Sequence, residues 1–285
     1  MRILHLSDTH LTASGHDEDG VDARGSLRVL LHDLRWVPGI DLVVVTGDLA
    51  DDGSAQGYAE LLAQVGAFAA ERGAPLICST GNHDDRSAFT AALGSGHLHG
   101  GADLGRLAPL GTTRAASSEV AGVRIVTLDS LVPGHAHGHL DAEQLGWLAE
   151  QLAVPHPGGT VLALHHPPIS IRPHAFEDVV LDNPTDLAAV IAGSDVHIVL
   201  CGHLHAQVSG YLAGVPVWVT PGVVTRLDLT TRPHLVRGVT GAGASVVDLT
   251  PDGPTCHTVH ARDPDAGREV YVYDPATNDD ALEEA

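Results

Sequence analysis

The chain has 285 residues, with 15 basic against 36 acidic side chains and a formal net charge of −21. This charge disfavours nucleic-acid polymers and anionic membranes as partners, because binding to either depends on lysine and arginine side chains that neutralise phosphates. Hydrophobic residues make up 44% of the sequence and aromatic residues only 4%, which indicates an aliphatic core in one large α/β domain or two small ones.

The cysteines and the N-terminus predict where the protein works. Cys78, Cys201 and Cys256 are odd in number and far apart, which argues against a disulfide framework and favours a reduced, cytoplasmic location. The sequence begins directly with a strand-like run, without the basic and apolar segments of a signal peptide. No apolar stretch reaches the ~18 residues of a membrane span, so no membrane association is expected.

Short apolar runs alternate with helical patterns over the first 205 residues. Leu27, Leu30, Leu31 and Leu34 repeat at the spacing of one helix face, and Asp141, with Gln144 three residues later, is expected to cap the start of another helix. The apolar runs are nearly continuous, as in strands buried on both faces, and they occupy residues 3–6, 42–45, 75–78, 123–128, 161–164 and 196–201. This alternation predicts a layered α/β fold.

The pattern changes after Gly202. Short strands and turns with few helix signals follow, and we expect them to pair as antiparallel strands in a second sheet. The stretch from about Arg262 is acidic and is expected to be a frayed tail. The predicted organisation is therefore one domain over residues 1–261 and an acidic, partly disordered extension over residues 262–285.

Polar side chains follow five of the predicted strands directly. Ligands in α/β folds lie beyond the carboxyl ends of strands, so these side chains are expected to converge. Imidazole, carboxylate and amide donors without a thiolate suit manganese, iron, cobalt or zinc. The five groups are Asp8 with His10, Asp48 with Asp51, Asn82 with His83 and Asp84, His165 with His166, and His203 with His205.

The pattern Gly-His-x-His occurs three times, and only one copy is placed to bind metal. The copy at Gly202 follows a buried strand, which would hold both imidazoles rigidly. The copy at Gly96 follows a helical pattern among glycines, and we expect a mobile loop there. The copy at Gly134 is expected to overhang the site as a substrate loop, with its two histidines equally open to being ordinary loop residues.

In this order and spacing, the motifs D-x-H, GD-x-x-D, GNHD, H-H-P-P and GH-x-H resemble the calcineurin-like metallophosphoesterase superfamily. Within it, the sequence looks most like the bacterial class III cyclic nucleotide phosphodiesterases and related glycerophosphodiesterases. The resemblance implies a four-layer α/β/β/α sandwich of two mixed sheets. Asp51 stands where purple acid phosphatases have a tyrosinate, and the Asp-Arg-Gly of protein phosphatases is absent, so neither branch is favoured.

The resemblance also implies a site with two divalent or mixed-valence metal ions, of Mn²⁺, Fe²⁺/Fe³⁺, Zn²⁺ or Co²⁺. Asp48 would bridge the two ions, and the second would bind more weakly because Asn82 is a neutral donor. Position relative to the prolines favours His165 over His166, which remains the alternative. One ion would be held by Asp8, His10, Asp48 and His205, and the other by Asp48, Asn82, His165 and His203.

The chemistry that the resemblance implies is attack by a hydroxide that bridges the metals. His83 would contact the phosphate and protonate the leaving alkoxide, and Asp84 would orient the His83 ring. Asn82, His83 and His135 are the expected substrate contacts. Base selectivity would come from loops near residues 11–25, 94–118, 133–139 and 170–182, where Phe176 is nearly the only aromatic residue.

The expected partner is a small phosphodiester, a nucleotide, and the favoured reaction is hydrolysis of cAMP to AMP. The first alternative is a broad phosphodiesterase that acts on glycerophosphodiesters or 2′,3′-cyclic nucleotides. A non-catalytic metal-binding scaffold is the second alternative, which the complete set of motif residues disfavours. A homodimer is suggested by the resemblance alone.

Overall fold

The computed structural model describes residues 1–169, 176, 178–232, 234–276 and 279–280. Six α-helices occur in these residues: α1 Ala23–Leu34, α2 Ala55–Leu61, α3 Ala67–Glu71, α4 Arg86–Leu93, α5 Ala142–Leu152 and α6 Pro184–Ile191, with a π-helical turn Leu62–Gly66 between α2 and α3. The strands are β1 Arg2–Leu6, β2 Leu42–Thr46, β3 Leu76–Ser79, β4 His97–His99, β5 Ala102–Asp103, β6 Arg106–Leu107, β7 Ala116–Val120, β8 Val123–Thr127, β9 Thr160–Ala163, β10 Val196–Cys201, β11 Val208–Leu212, β12 Val215–Val219, β13 Thr225–Leu227, β14 Val236–Thr240, β15 Gly243–Thr250, β16 Gly253–His260, β17 Glu269–Asp274 and β18 Asp279–Asp280.

Two seven-stranded sheets form the centre of the molecule. The first has the order β16-β15-β1-β2-β3-β4-β5, and the second has the order β11-β12-β10-β9-β8-β7-β6. The pairs β1–β2, β2–β3, β8–β9, β9–β10 and β10–β12 are parallel, whereas the other pairs of the two sheets are antiparallel. The two mixed sheets that the family resemblance implied are therefore confirmed.

The described buried residues divide into three hydrophobic clusters, one for each interface between four layers. Ile3 and Val161 belong to the cluster between the sheets. Their neighbours in sequence point the other way: Leu4 packs with α1, α2 and α3, and Leu162 packs with α5 and α6. This alternation follows from the two-residue period of a strand, and it builds the α/β/β/α sandwich.

Helix starts and faces agree with the sequence pattern. Leu27, Leu30, Leu31 and Leu34 are all buried on one face of α1. The Asp141 carboxylate caps α5 by accepting a hydrogen bond from the Gln144 backbone at 2.7 Å. The Gln144 side chain does not return that bond, because its amide is paired with the backbone of Asp129 instead.

The region after Gly202 differs from the prediction. Its strands do not form one antiparallel sheet: β11 and β12 extend the second sheet, and β15 and β16 extend the first. The remainder form a small third sheet in the order β13-β14-β17-β18. The prediction of a frayed tail from Arg262 is wrong for Glu269–Asp274, because these residues form β17 and pair with β14. The boundary at residue 261 remains a prediction.

Across the described part of the chain, no helix combines the length and apolar character needed to traverse a membrane.

His97 corrects the expectation of a mobile loop at the Gly96 copy of Gly-His-x-His. It begins β4, is fully buried, and links the two sheets through Ser118 Oγ at 2.7 Å and Thr127 Oγ1 at 3.0 Å. Two short strands, β4 and β5, extend the first sheet there because the intervening glycines permit a tight turn at Gly100 and Gly101. Burial lowers the pKa of His97 to about 4.

Replacement of His97 by glutamine should alter how stability depends on pH. Between pH 6.5 and 4 the unfolded chain binds a proton that the buried imidazole does not, so the stability of the wild type falls as the pH decreases. His97→Gln should be less stable than wild type at pH 7, and the difference should shrink by about 2–3 kcal/mol at pH 4.5. Urea unfolding at the two pH values measures this change. The exposed neighbour, as His99→Gln, is the control; a constant difference between His97→Gln and wild type would contradict the argument.

Candidate metal centre

Five strand ends bring the predicted ligands together at one end of the sandwich. Three of these strands, β1, β2 and β3, belong to the first sheet, and β9 and β10 belong to the second. Histidine and carboxylate atoms in groups of three lie within 4.8 Å of one another, as in Asp8–His10–His205 and Asp8–Asp48–His165. The parallel direction of these strands therefore gathers donors that lie far apart in sequence.

Asp48 lies at the centre of the cluster. One of its carboxylate oxygens, Oδ2, is 3.1 Å from His165 Nε2 and 3.7 Å from His10 Nε2. The other accepts a hydrogen bond from the His83 backbone at 2.9 Å. The Asp8 carboxylate accepts the backbone N–H of His203 at 3.1 Å. Asp48 thus has donors on two sides, the position expected of a bridging ligand.

The remaining predicted ligands border the same space. His165 Nε2 lies 3.1 Å from Asn82 Oδ1 and 3.1 Å from His203 Nδ1. His205 Nε2 lies 3.5 Å from Asp8 Oδ1. The structure therefore brings all seven predicted ligands to one place.

His165 and His166 are both buried, and their surroundings differ. His165 donates from Nδ1 to the Thr46 carbonyl oxygen at 2.7 Å, which turns Nε2 toward the two carboxylates. His166 uses Nδ1 for Ser130 Oγ at 2.8 Å, and it groups with the imidazoles of His165 and His203 rather than with a carboxylate. This geometry supports His165 as the ligand.

Two other imidazoles among the predicted ligands are also oriented through their second nitrogen. His10 Nδ1 is 2.7 Å from Asp51 Oδ1, and His205 Nδ1 is 2.5 Å from Thr225 Oγ1. Such contacts fix the ring plane and direct the free nitrogen to the site. His10 Nε2 is buried and has no hydrogen-bond partner among the described residues, which fits a nitrogen that binds a cation.

The backbone of the ligand loops adopts a costly conformation. Asp8, His10, Asp48, His203 and His205 all have φ between 43° and 72°, a region that non-glycine residues seldom occupy. Each such residue costs on the order of 1 kcal/mol and persists only where surrounding contacts enforce it. Outliers of this kind concentrate at functional sites, and five of the seven non-glycine residues with positive φ among the described residues are predicted ligands.

Glycines in the motifs are explained by close approach. A Cβ on Gly81 would lie 2.3 Å from Asp48 Oδ1, and a Cβ on Gly47 would lie 2.5 Å from His165 Nδ1. At Gly202 it would meet Ser7 Oγ at 1.7 Å. The glycines that precede the ligand residues therefore leave room for the ligands themselves.

Electrostatics keep the carboxylates ionised in spite of burial. Burial alone would raise the pKa of Asp8, but the imidazoles of His205 and His165 outweigh it and lower the pKa to about 2. The pKa of Asp48 is likewise held well below its ordinary value, against burial, by His165 and His10. Two buried anions side by side need positive charge between them.

Some of the imidazoles provide this positive charge because they are protonated, whereas another stays neutral. Burial would lower the pKa of His10 and His165, but the neighbouring carboxylates Asp51 and Asp48 raise both values to about 9. Burial and the adjacent charge of His165 lower the pKa of His203 to about 3. Metal ions would replace those protons, since histidine binds metals in its neutral form. The donor set and its charge therefore fit metal ions.

Asp84 corrects one expectation. It does not orient the His83 ring: its carboxylate accepts backbone hydrogen bonds from Leu49, Ala50 and Gly81 and one from the Tyr58 hydroxyl. Burial, followed by the charge of Asp48, raises its pKa to about 6. Asp84 instead joins the two loops that carry Asp48 and Asn82.

His83 is held by another residue and faces open space. Its Nδ1 donates to the Asp51 carbonyl oxygen at 2.9 Å, so Nε2 is available to a ligand. The ring borders a cavity of about 410 Å³ that His10, Asp48, Asn82, His203 and His205 also line.

His135 is exposed and does not line this cavity, whereas its neighbour Ala136 does. Residues 170–175 and 177 of the predicted selectivity loop lie outside the described residues.

The sequence prediction missed several cavity residues. Tyr271 and Tyr273 of β17 line the cavity, as do Thr225 and Leu227 of β13 and Asp17 of the loop before α1. The tyrosines fall in the segment expected to fray, and no motif marks them. Alternation of Tyr271, Val272 and Tyr273 was the one available signal, because it places both tyrosines on one face of a strand.

Comparison with known proteins gives consistent matches. The family model described as calcineurin-like phosphoesterase matches residues 1–207. A probable cyclic nucleotide phosphodiesterase of Rhodococcus erythropolis is 40% identical over 98% of this chain and 88% of that protein. A cAMP/cGMP dual specificity phosphodiesterase of Mycobacterium tuberculosis is 41% identical over 88% of this chain and 76% of that protein. Among solved structures, Plasmodium GAP50, an inner membrane complex anchor, has a TM-score of 0.59 at 10% identity over 100% of this chain and 90% of that one; this likeness concerns the fold alone.

Replacement of Asp51 by asparagine should weaken metal binding without removing a proposed ligand. The Asp51 carboxylate orients His10, and loss of such a partner commonly lowers metal affinity about 10–100-fold. Competition with a fluorescent chelator for Mn²⁺ or Zn²⁺ measures the change. Asp52→Asn is the matched control, because Asp52 is exposed in the same loop and loses the same charge. Equal affinities in the two variants would mean that Asp51 acts by charge alone or not at all.

Proposed function

Since the chain belongs to the calcineurin-like phosphoesterase family, we propose that it is a metal-dependent phosphodiesterase that hydrolyses 3′,5′-cyclic nucleotides. The two relatives described above carry names of cyclic nucleotide phosphodiesterases, and the chain covers most of the length of each. We propose cAMP, opened to 5′-AMP, as a substrate.

One observation carries the proposal. Two buried carboxylates, Asp8 and Asp48, share a cluster with imidazoles from both sheets, and this cluster opens into a cavity of nucleotide-compatible size. We propose that the cluster holds two metal ions of the manganese, iron, zinc or cobalt type. One ion would be held by Asp8, His10, Asp48 and His205, and the other by Asp48, Asn82, His165 and His203.

Bound metal ions of this kind would supply an activated water and would neutralise the charge that develops on the phosphate. The residues of the chain do the rest. Asp51 and Thr225 orient imidazoles of the cluster. The net charge of −21 does not oppose an anionic substrate, because the positive charge of bound metal ions dominates at contact distance.

His83 is the proposed general acid. The oxygen of a water molecule bonds to phosphorus while that water releases one proton to solvent, the bond from phosphorus to the ribose 3′ oxygen breaks, and that oxygen leaves as an alkoxide that takes up a proton from His83. The carbonyl oxygen of Asp51 occupies Nδ1 of His83, so the proton must come from Nε2 of a doubly protonated ring. His83 borders the cavity beside Asn82, where a phosphate would lie.

A substrate panel tests the proposed function. Purified protein is analysed for metals and assayed with 3′,5′-cAMP, 2′,3′-cAMP and glycerophosphocholine. The proposal expects kcat/KM to be highest for 3′,5′-cAMP and activity to disappear on chelation and return with added metal. Comparable rates on the three substrates would favour a broad phosphodiesterase. Bound metal with no turnover of any diester would favour a non-catalytic scaffold.

His83→Ala should slow turnover in a way that depends on the leaving group. With cAMP, whose alkoxide needs a proton, kcat should fall about 10²–10⁴-fold. With bis(p-nitrophenyl) phosphate the loss should be much smaller, because nitrophenolate leaves without protonation. Elemental analysis should find the same metal content as in wild type.

His156→Ala is the control for this prediction, since its side chain is exposed to a similar degree, 21% against 24%, and it does not line the cavity. Loss of metal from His83→Ala would assign His83 to the ligands instead, a role that its proximity to His10 and Asp48 permits.

We further propose a cytoplasmic location, from the unpaired cysteines, and a homodimer, from the family.

A further inference from the structure

The cavity has a second region that the metal ligands do not account for. Part of its wall is largely apolar and comes from one face of the third sheet. Because strand residues alternate between faces, the residues at this wall share a side of the sheet: Thr225 and Leu227 of β13, Val236 of β14, and Tyr271 and Tyr273 of β17. This sheet lies entirely beyond residue 207, where the match to the family model ends.

The two tyrosines are held in fixed positions. Tyr271 pairs across the sheet with Gly238, and its ring lies directly over that glycine, where a Cβ would approach ring carbons at 2.3–2.7 Å. Tyr273 pairs with Val236, and the centroids of the two tyrosine rings are 5.9 Å apart. Strand pairing and the missing side chain of Gly238 therefore create a broad aromatic surface inside the cavity.

The charge around this surface restricts what can bind there. Asp17, Glu18 and Asp19, in the loop before α1, line the same cavity. These carboxylates would repel a second phosphate or any other anion. They would tolerate an uncharged ring and could accept hydrogen bonds from its amino group. Aromatic side chains that hold a flat ring by stacking contribute affinity for any base, because every base has a π-face.

We propose that Tyr271 and Tyr273 form the subsite for the nucleobase of the substrate, so that the third sheet determines selectivity for nucleotides over other phosphodiesters. The inference rests on the proposed function, since the base is that of a cyclic nucleotide whose phosphate lies at the metal cluster. Aromatic and acidic residues together also suit a quaternary ammonium group. The names of the relatives favour a nucleobase over a quaternary ammonium group as the occupant of this surface. Glycerophosphocholine, which carries a quaternary ammonium group, is therefore the substrate that tests the alternative.

The first test compares substrates with and without a base. Tyr273→Ala should lower the ratio of kcat/KM for 3′,5′-cAMP to kcat/KM for glycerophosphoglycerol, a diester without any aromatic ring, about tenfold, mainly through a higher KM for cAMP. Tyr273→Leu, which keeps apolar bulk without a stacking face, should lower the ratio in the same direction, and Tyr273→Phe should preserve it. Tyr211→Ala is the matched control, because Tyr211 is 74% exposed on β11 and does not line the cavity.

An equal loss on both diesters, or a ratio that Tyr273→Ala and Tyr273→Leu leave at the wild-type value, would overturn the base subsite. A selective loss on glycerophosphocholine would reassign the surface to a quaternary ammonium group and would also overturn it. Thermal unfolding of each variant shows whether it is folded. If Tyr273→Ala is not, the comparison of Tyr273→Leu with Tyr273→Phe tests the subsite instead.

A second measurement separates this inference from the proposed function. Adenosine has no phosphate, so the metals cannot hold it, and saturation-transfer NMR detects its binding at millimolar concentration without any turnover. Wild type and Tyr211→Ala should give a signal that Tyr273→Ala and Tyr273→Leu lose. This result would support the subsite even if the wild type hydrolysed no cyclic nucleotide. Equal signals in all variants, or none in wild type, would overturn the subsite even if cAMP were hydrolysed.

Discussion

The burial of two carboxylates at one edge of the sandwich is the constraint on which the site depends. Asp8 and Asp48 are fully or nearly fully buried, so their charges cannot be screened by water. Imidazoles from both sheets surround them and provide either protons or places for metal ions. Removing one partner from such a cluster leaves an uncompensated buried charge, which is strongly destabilising. The need to neutralise these anions therefore ties ligand geometry, backbone strain and protonation together.

The same cluster also joins the two sheets. His165 follows a strand of the second sheet and donates to the Thr46 carbonyl oxygen in the first. The His203 backbone, again from the second sheet, donates to Asp8 in the first. Farther along the interface, Arg86 at the start of α4 pairs with the buried Asp129 beyond β8. Polar contacts of fixed direction thus set the relative position of two layers whose apolar interface alone would tolerate sliding.

Sequence patterns were informative where residues act locally. Continuous apolar runs located the central strands to within about a residue, because a strand buried on both faces needs such a run. The motifs located the side chains that cluster at the end of the sandwich, since each motif follows a strand directly. The predictions that failed concern side chains whose contacts lie far away in sequence. Nothing near Asp84 indicates that its carboxylate would bind the backbone of Leu49 and Ala50, and nothing near His97 indicates two hydroxyl partners on the opposite sheet.

The third sheet shows why the segment beyond the motifs belongs to the site. Thr225 of β13 contacts His205, while Leu227, two residues later on the same face, lines the cavity. Leu227 pairs with Gly238 on β14, and Gly238 pairs with Tyr271 on β17. One row across the sheet thus runs from the strand that contacts His205, a proposed metal ligand, to an aromatic cavity wall. A shift of β17 would move that wall relative to the metal cluster, so the spacing between phosphate and base would be set by the register of three short strands rather than by the motif loops.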